Sequence, residues 1–425
     1  MLKAGGRTTA EMTHRLMEHV WTSRKVPVKM GEAKIILLPK DAKNPNDPAQ
    51  QRPISLTNTW YKVLDKILAE KITTTLEETQ HFAEPQYGFR KNRSTADQML
   101  SLELLAQIQE SRGQELHIVL IDLQKAFDSV NREVLFEILE ETAVDKTVID
   151  ILKSAYQHEK SSLILNGEGT DPFNIEIGVR QGACTSPTLF NLMPDKLAKR
   201  LEGMNTGITI DDGAPINCLL YADDIALVAK SAEDAQRLAD EAQRWADTYQ
   251  LRINAAKTEY LALGARRTHT ITLAGATVEA QDNIKYLGFQ KSAKDKTLHP
   301  TMRLQKAETA LRNIQKIFRG LPDIPAQHKL LTAQACVDAV YLYGLEVTSG
   351  KKLDKIMKKA NVVRRRALRT IMQAPMGTAN EILQVDAGWS RIETLIAARK
   401  VKMVKRIVDK EPGAIVRRIL EKAAL

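Results

Sequence analysis

The chain has 425 residues, of which 43% are apolar, 27% charged and 5% aromatic, and a formal charge of +10. That length accommodates two to four packed lobes, and that apolar share excludes a disordered tail. The three cysteines, Cys184, Cys218 and Cys336, share no CxxC spacing and no nearby histidine pair, which argues against a disulfide scaffold or a cysteine zinc module and for reduced thiols.

No apolar run approaches the roughly 18 residues of a membrane span, and the N-terminus lacks the apolar stretch of a signal peptide. A soluble intracellular protein is expected, nuclear or cytoplasmic, with no membrane partner. The charge is unevenly placed. Residues 290–425 hold 28 Lys/Arg against 12 Asp/Glu, whereas the remaining 289 hold 34 against 40. A basic final third implies either a polyanion partner or a lysine-rich solvated helical surface.

Residues 8–22 read as a short amphipathic helix that ends before Val26-Pro27. Ala33 to Leu38 is a β-like apolar run, and the loop from Pro39 to Pro53 is expected to be irregular because Pro45, Pro48 and Pro53 interrupt it. Helical spacing runs from Trp60 to Thr79 through Val63, Leu64, Ile67, Leu68, Ile72 and Leu76. A second helix is predicted over Thr95–Glu110, with Thr95 as its N-cap. His117 to Ile121 is a short aliphatic run suited to a buried strand and ends in Asp122. Helical spacing resumes at Val134, Leu135, Ile138 and Leu139. Two more strands, Ile216–Tyr221 and Ile225–Ala229, flank Ala222-Asp223-Asp224, so a β-hairpin with the acidic pair at its turn is expected. A helix over Ala232–Tyr249 and short strands near Thr258–Leu263 and Ile271–Leu273 follow. After residue 298 the pattern is helical: Met302–Phe318, Ala326–Tyr343, Lys352–Met372 and two more helices within Asn380–Leu425, punctuated by Pro322, Pro325, Pro375 and Pro412.

Asp122 at one strand end and Asp223-Asp224 at a hairpin tip are either ordinary solvated turn residues or are gathered around a cation, since unpartnered carboxylates are costly to bury. Hard oxygen ligands suit Mg²⁺. Two such ions about 4 Å apart would stabilise both the attacking and the leaving oxygen of a phosphoryl displacement.

The order of the surrounding blocks decides between these readings: KIILLPKD (34–41), RPISLTN (52–58), QYGFRKNRST (86–95), IDLQKAFDSV (121–130), GVRQGACTSPTLFNL (178–192), YADD (221–224), INAAKTE (253–259) and KYLGF (285–289). This series, spanning nearly the whole chain, resembles the reverse transcriptases of non-LTR (LINE-type) retrotransposons. The resemblance implies an α+β right-hand polymerase, with fingers, a palm whose antiparallel sheet carries helices on one face, and a helical thumb. Its expected divisions are fingers 1–83, palm with the remaining fingers segments 84–289, basic thumb 290–375 and a C-terminal extension 376–425. It implies an RNA-directed DNA polymerase that uses an RNA template, a DNA primer, dNTPs and two Mg²⁺ ions, with Mn²⁺ an acceptable substitute.

The resemblance also assigns roles. Asp122 and Asp223 would bridge the metals, Asp224 would complete the triad, and the Leu123 carbonyl would add a ligand. Phe127 matches the aromatic steric gate against a 2′-hydroxyl. Gln181 and Gly182 match the loop over the incoming nucleotide, Arg52 the triphosphate clamp with Lys40 assisting or merely solvated, and Lys257 the group that protonates or neutralises the leaving pyrophosphate. Gly88, Phe89 and Arg90 would line the template path, and Tyr286, Leu287 and Gly288 would form the primer grip. The segment Lys351–Arg369 carries Lys351, Lys352, Lys355, Lys358, Lys359, Arg364, Arg365, Arg366 and Arg369, with its apolar residues along one face. Of these, Arg364, Arg365 and Arg366 are expected to grip phosphates without sequence preference. Arg399, Lys400, Lys402, Lys405 and Arg406 form a second basic set. No endonuclease or zinc knuckle is visible, so strand nicking is not expected of these residues. Two other functions compete: an RNA-dependent RNA polymerase, disfavoured by Phe127, and a catalytically silent remnant that binds RNA or DNA.

Overall fold

A computed structural model describes residues 5–40, 47, 50–157, 159–165, 167–265, 268–321, 323–350, 353–375 and 377–423. Helices α1 (Gly6–Ser23) and α2 (Val28–Gly31) lead into β1 (Ala33–Pro39), β2 (Gln51–Thr57), α3 (Thr59–Glu78) and α4 (Thr95–Ser111). After β3 (Leu116–Ile121) come α5 (Arg132–Glu140), α6 (Lys146–Gln157), β4 (Lys160–Leu165), β5 (Glu168–Gly169), β6 (Phe173–Asn174) and α7 (Ser186–Leu201). The hairpin of β7 (Cys218–Tyr221) and β8 (Asp224–Ala229) precedes α8 (Ala232–Thr248), β9 (Glu259–Leu263) and two further hairpins, β10 (Thr270–Leu273) with β11 (Ala276–Glu279) and β12 (Asn283–Tyr286) with β13 (Phe289–Ser292). From Leu298 onward the described elements are helices: α9 (Leu298–Gly320), α10 (Ala326–Ala333), α11 (Ala339–Leu342), α12 (Leu353–Met372), α13 (Asn380–Asp386), α14 (Ile392–Val408) and α15 (Ile415–Ala423). None of the described helices is long and apolar enough to cross a membrane.

The architecture is α+β, with two main sheets. One has the antiparallel order β7-β8-β3-β9, which puts β3 between two neighbours. Alternate residues of β3 enter two separate cores. Val119 and Ile121 pack with Phe190 of α7 and Leu238 and Trp245 of α8. Leu116 and Ile118 pack with Leu105 of α4, Ile284 and Tyr286 of β12, and Ile415 and Ile419 of α15. The expectation of helices on one face is therefore corrected: helices cover both. Burial on both sides is also why β3 reads as an apolar run without alternation from Ile118 to Ile121, with His117 the one polar residue of the strand.

The second sheet has the order β2-β1-β4-β5, with β6 on β4. Strand β2 contains Pro53, a position expected to be irregular; Pro53 pairs with Leu37 on the sheet edge, where a missing N–H costs no ladder bond. Of that loop, residues 41–46 and 48–49, with Pro45 and Pro48, lie outside the described residues, as does Pro322.

Two local readings change. The N-cap of α4 is Ser94, not Thr95, and it forms a capping box with Asp97. The single helix expected over Ala326–Tyr343 is broken by a π-helical turn at Gln334–Asp338, at the point where Asp338 meets Arg364. All three cysteines are free thiols.

Candidate active site

Register brings the carboxylates together. Ile121 of β3 stands opposite Ile225 of β8, so one further step along both strands sets Asp122 against Asp224. The β7–β8 hairpin closes with Tyr221 opposite Asp224. Its two-residue turn is therefore Ala222-Asp223, and Asp224 already belongs to the strand, which starts one position earlier than the sequence suggested. Ala222 takes the positive φ of 56° that such a turn demands at its first position. Asp122, Asp223 and Asp224 line one open cleft of about 470 Å³ with Leu123, Lys257, Glu259, Lys285 and Tyr286.

The backbone around Leu123 is also aimed at this cleft. The Gln124 N–H donates to the Arg252 carbonyl and the Asn254 N–H to the Asp122 carbonyl, both at 2.8 Å, on either side of a Leu123–Ile253 bridge. In that pattern the bridged residue's own N–H and C=O point away from its partner, which turns the Leu123 carbonyl to the β8 side, where the aspartates lie.

Crowding sets the electrostatics. Burial first, then Asp223 and Asp122, push the Asp224 carboxyl up to about 6 against the pull of Lys285. Asp223 is also raised, by burial and then by Asp122, with Arg52 opposing. Oxygen donors that repel one another and hold protons too tightly are a donor set suited to a hard divalent cation. A proton must leave Asp224 before a cation binds, so the cation concentration at half-saturation should climb toward tenfold per pH unit as the pH falls below about 6. Metal titrations between about pH 8 and pH 5 read this directly; a flat half-saturation would mean that Asp224 is ionised throughout. Stability of the metal-free protein has the same sign. A carboxyl raised above its usual value opposes folding while ionised, so stability should rise as the pH falls through about 6.

The Ala222-Asp223 turn rests on a segment that sequence reasoning assigned elsewhere. Pro85–Gly88 runs beside β7: the Leu220 N–H donates to the Pro85 carbonyl and the Tyr87 N–H to the Leu220 carbonyl. The buried Gln86 side-chain oxygen accepts from the Ala222 N–H at 3.0 Å and the Gly88 N–H at 2.8 Å. A Cβ at Gly88 would stand 2.3 Å from the Ala222 nitrogen, so Gly88 provides clearance for the turn rather than a template wall. Gln86 was missed as a functional residue, although it opens the QYGFRKNRST block.

Arg90 is corrected as well. Its side chain is 7% exposed, bidentate with Glu77, and donates to the Ala83 and Gln86 carbonyls, so its donors are committed to the protein. Phe89 is exposed and meets Phe127 edge to face at 6.5 Å, while Phe127 stacks on Phe190 at 4.7 Å. Both rings are thus fixed near the end of β3.

On the β1–β2 side, Arg52 is exposed on β2 and acts favourably on Asp223. Lys40 and Gln181 line a neighbouring cleft of about 460 Å³ with Lys125 and Asp128, not the aspartate cleft. The Gln181 amide donates to Asp128 at 2.7 Å, and its backbone carbonyl accepts from the Ser55 N–H at 2.9 Å. Gly182 has a φ of 104° and leaves only 3.3 Å between a would-be Cβ and the Ser55 carbonyl. In the β12–β13 hairpin, Leu287 and Gly288 make the two-residue turn with φ of 48° and 80°. The Tyr343 hydroxyl donates to the Leu287 carbonyl at 2.6 Å, and the buried Tyr286 hydroxyl donates to the Leu219 carbonyl at 3.3 Å.

Comparison with known proteins agrees with this geometry. The model of the family described as reverse transcriptase (RNA-dependent DNA polymerase) matches residues 39–291. The chain belongs to the reverse transcriptase family. It is 26% identical over 410 residues to the RNA-directed DNA polymerase from mobile element jockey of Drosophila funebris, covering 92% of this chain and 43% of that one. Against the Retrovirus-related Pol polyprotein from type-2 retrotransposable element R2DM of Drosophila melanogaster the identity is 24% over 361 residues, covering 81% and 33%. The 149 kDa protein of transposon TX1 from Xenopus laevis is 26% identical over 290 residues, 66% of this chain and 22% of that one. These relatives place it on the non-LTR side of that family, and the chain spans less than half the length of each of them. Among solved structures, the likeness to apo telomerase from Candida tropicalis is loose, with a TM-score of 0.45 and 12% identity over 96% of this chain and 74% of that one.

The basic helices of this chain divide their charges in a way the sequence did not disclose. Arg364 is 4% exposed, bidentate with Asp338, stacked 4.7 Å over Trp389 and donating to the Ser390 carbonyl. It cannot reach a phosphate, and its predicted grip is withdrawn. Arg365 is half-buried and Arg366 exposed on the same helix, while Lys351 and Lys352 lie outside the described residues. On α14, Arg399 and Lys400 donate to the Leu342 and Thr348 carbonyls, and Arg406 pairs with the buried Asp97.

Proposed function

We propose that this chain is an RNA-directed DNA polymerase, extending a DNA primer along an RNA template with dNTPs. The convergence of Asp122 with Asp223 and Asp224 in one cleft carries the reading, because two separate stretches of chain have no structural reason to gather three unpaired carboxylates. Asp122, Asp223, Asp224 and the Leu123 carbonyl would hold two Mg²⁺ ions, or Mn²⁺ in their place. When bound, these ions supply Lewis-acid stabilisation of the charge that develops on the reacting phosphate.

The protein's own groups do the rest. The primer 3′-hydroxyl attacks the α-phosphate and pyrophosphate departs, giving one new phosphodiester for each anhydride broken. Arg52 offers a permanently charged fork to the triphosphate, with Lys40 beside it. Lys257, exposed at the cleft mouth, neutralises or protonates the leaving group. Gln181 and Gly182 cover the incoming nucleotide, Phe89 borders the template, and the Leu287-Gly288 turn holds the primer end. The divisions that follow are fingers 1–83, palm 84–289, thumb 290–375 and a C-terminal extension 376–425.

Phe127, braced by Phe190, closes the space a 2′-hydroxyl would need, which favours a DNA product over RNA. Primer extension on an RNA template, with and without divalent cation and with dNTPs against rNTPs, tests the proposal. Wild type should use dNTPs only, and Phe127→Val should improve relative rNTP use by about tenfold to a hundredfold, the range steric pockets deliver. Equal use of both nucleotides by wild type would remove the gate, and no extension with either would favour a binding scaffold.

A further inference from the structure

Three metal-ligating side chains converge at the opposite end of the strand that delivers Asp122. Glu115 and His117, two residues apart at the start of β3, share one face, and His269 arrives from the segment before β10. Glu115 Oε2 lies 2.9 Å from His117 Nε2 and 4.0 Å from His269 Nε2. All three ligand atoms fall within 4.8 Å of one another. The two imidazoles cross edge to face, centroids 5.2 Å apart at 77°. On its other side, Nδ1 of His117 sits 2.7 Å from the Tyr260 hydroxyl of β9, which fixes the ring with Nε2 facing the gap. At ~3.3 Å per residue the cluster is about 16 Å along β3 from Asp122, clear of the catalytic carboxylates.

We propose that Glu115, His117 and His269 form a second metal site, for a borderline first-row divalent cation, Zn²⁺ foremost, that staples β3 to the β10–β11 hairpin. Two imidazole nitrogens and one carboxylate oxygen are the ligand chemistry of Zn²⁺ rather than Mg²⁺. Tetrahedral bonds of ~2.0–2.1 Å space ligand atoms about 3.4 Å apart. The 2.9 Å contact must therefore open, and the 4.0 Å gap close, by about half an ångström each. Side-chain rotation suffices for that.

His117 is buried, and desolvation keeps it below the usual histidine range, in the neutral form that ligates. On ligation its Nδ1–H would donate to the Tyr260 oxygen, the outer-shell contact that orients a metal-bound histidine. The side chains of Glu115 and His269 are 37% and 26% exposed, so a fourth position opens to water. A metal-free Glu115–His117–Tyr260 network would account for His117, but not for His269, whose ring makes no hydrogen bond among the described residues.

The full chain, stripped with chelator and returned to excess Mg²⁺ so that the aspartate cleft is filled, is titrated with Zn²⁺ by calorimetry. Wild type should bind one ion per chain and melt higher with Zn²⁺ present. His269→Ala alters a partly exposed side chain and should retain the metal-free melting point. It should weaken Zn²⁺ by more than the 10–100-fold typical of an outer-shell loss, and Glu115→Gln should weaken it less. Co²⁺ should give tetrahedral visible absorption in wild type and none in His269→Ala. Zn²⁺ affinity that His269→Ala leaves unchanged would overturn the proposal, as would wild type binding no Zn²⁺.

Discussion

Asp223→Asn is expected to reduce primer extension by at least about 10³-fold, a loss of about 4 kcal/mol of transition-state stabilisation, while template–primer binding stays within about twofold. The amide keeps the shape of the Ala222-Asp223 turn and the hydrogen bond from the Ala222 N–H to Gln86. It removes a charge that burial and Asp122 already make costly, so the metal-free variant should melt no lower than wild type. Loss of activity without loss of fold or binding separates catalysis from scaffolding. Extension within tenfold of wild type would remove Asp223 from the reaction.

The second large effect is on stability. Arg364→Ala should cost about 3–5 kcal/mol, because it strands the buried Asp338 and uncovers Trp389. Arg364→Lys should not restore the loss, since an ammonium cannot replace a bidentate fork. Burial holds Asp338 above the usual carboxylate range even with Arg364 beside it. Without the guanidinium that carboxyl becomes neutral more readily, so the variant's deficit should shrink as the pH is lowered. Arg366→Ala on the exposed face should change stability by less than about 0.5 kcal/mol and lower the salt slope of nucleic-acid binding by about one. Denaturant melts and salt titrations of the two variants distinguish the roles. Equal melts would return Arg364 to the phosphate-gripping set.

These contrasts mark where the sequence was legible. The apolar run into Asp122 and the paired strands around Ala222-Asp223 were readable because burial on both faces leaves no polar interruption until the strand ends. Strand β2 was not, because Pro53 argues against a strand unless the edge position is known. Helix α7 is hard to read because Leu189, Phe190, Leu192 and Met193 are all buried, which leaves its first half without a polar stripe, and because Pro194 stands inside it. Arg90, Arg364 and Arg406 look like solvent or phosphate ligands in any list of charges, and only their distant partners Glu77, Asp338 and Asp97 reveal them as internal braces. Gly88 carried no sign of its task, since the backbone it must clear lies more than a hundred positions later in the chain.

Ile415 and Ile419 sit in the same core as Ile118 and Leu219. The core on one flank of β3, the strand that delivers one of the three aspartates, is thus completed by α15, well past residue 291, where the family match stops. Excising the matched stretch as a portable unit would peel that helix away and leave an oily flank bare, so minimal enzymes derived from this chain should be trimmed elsewhere.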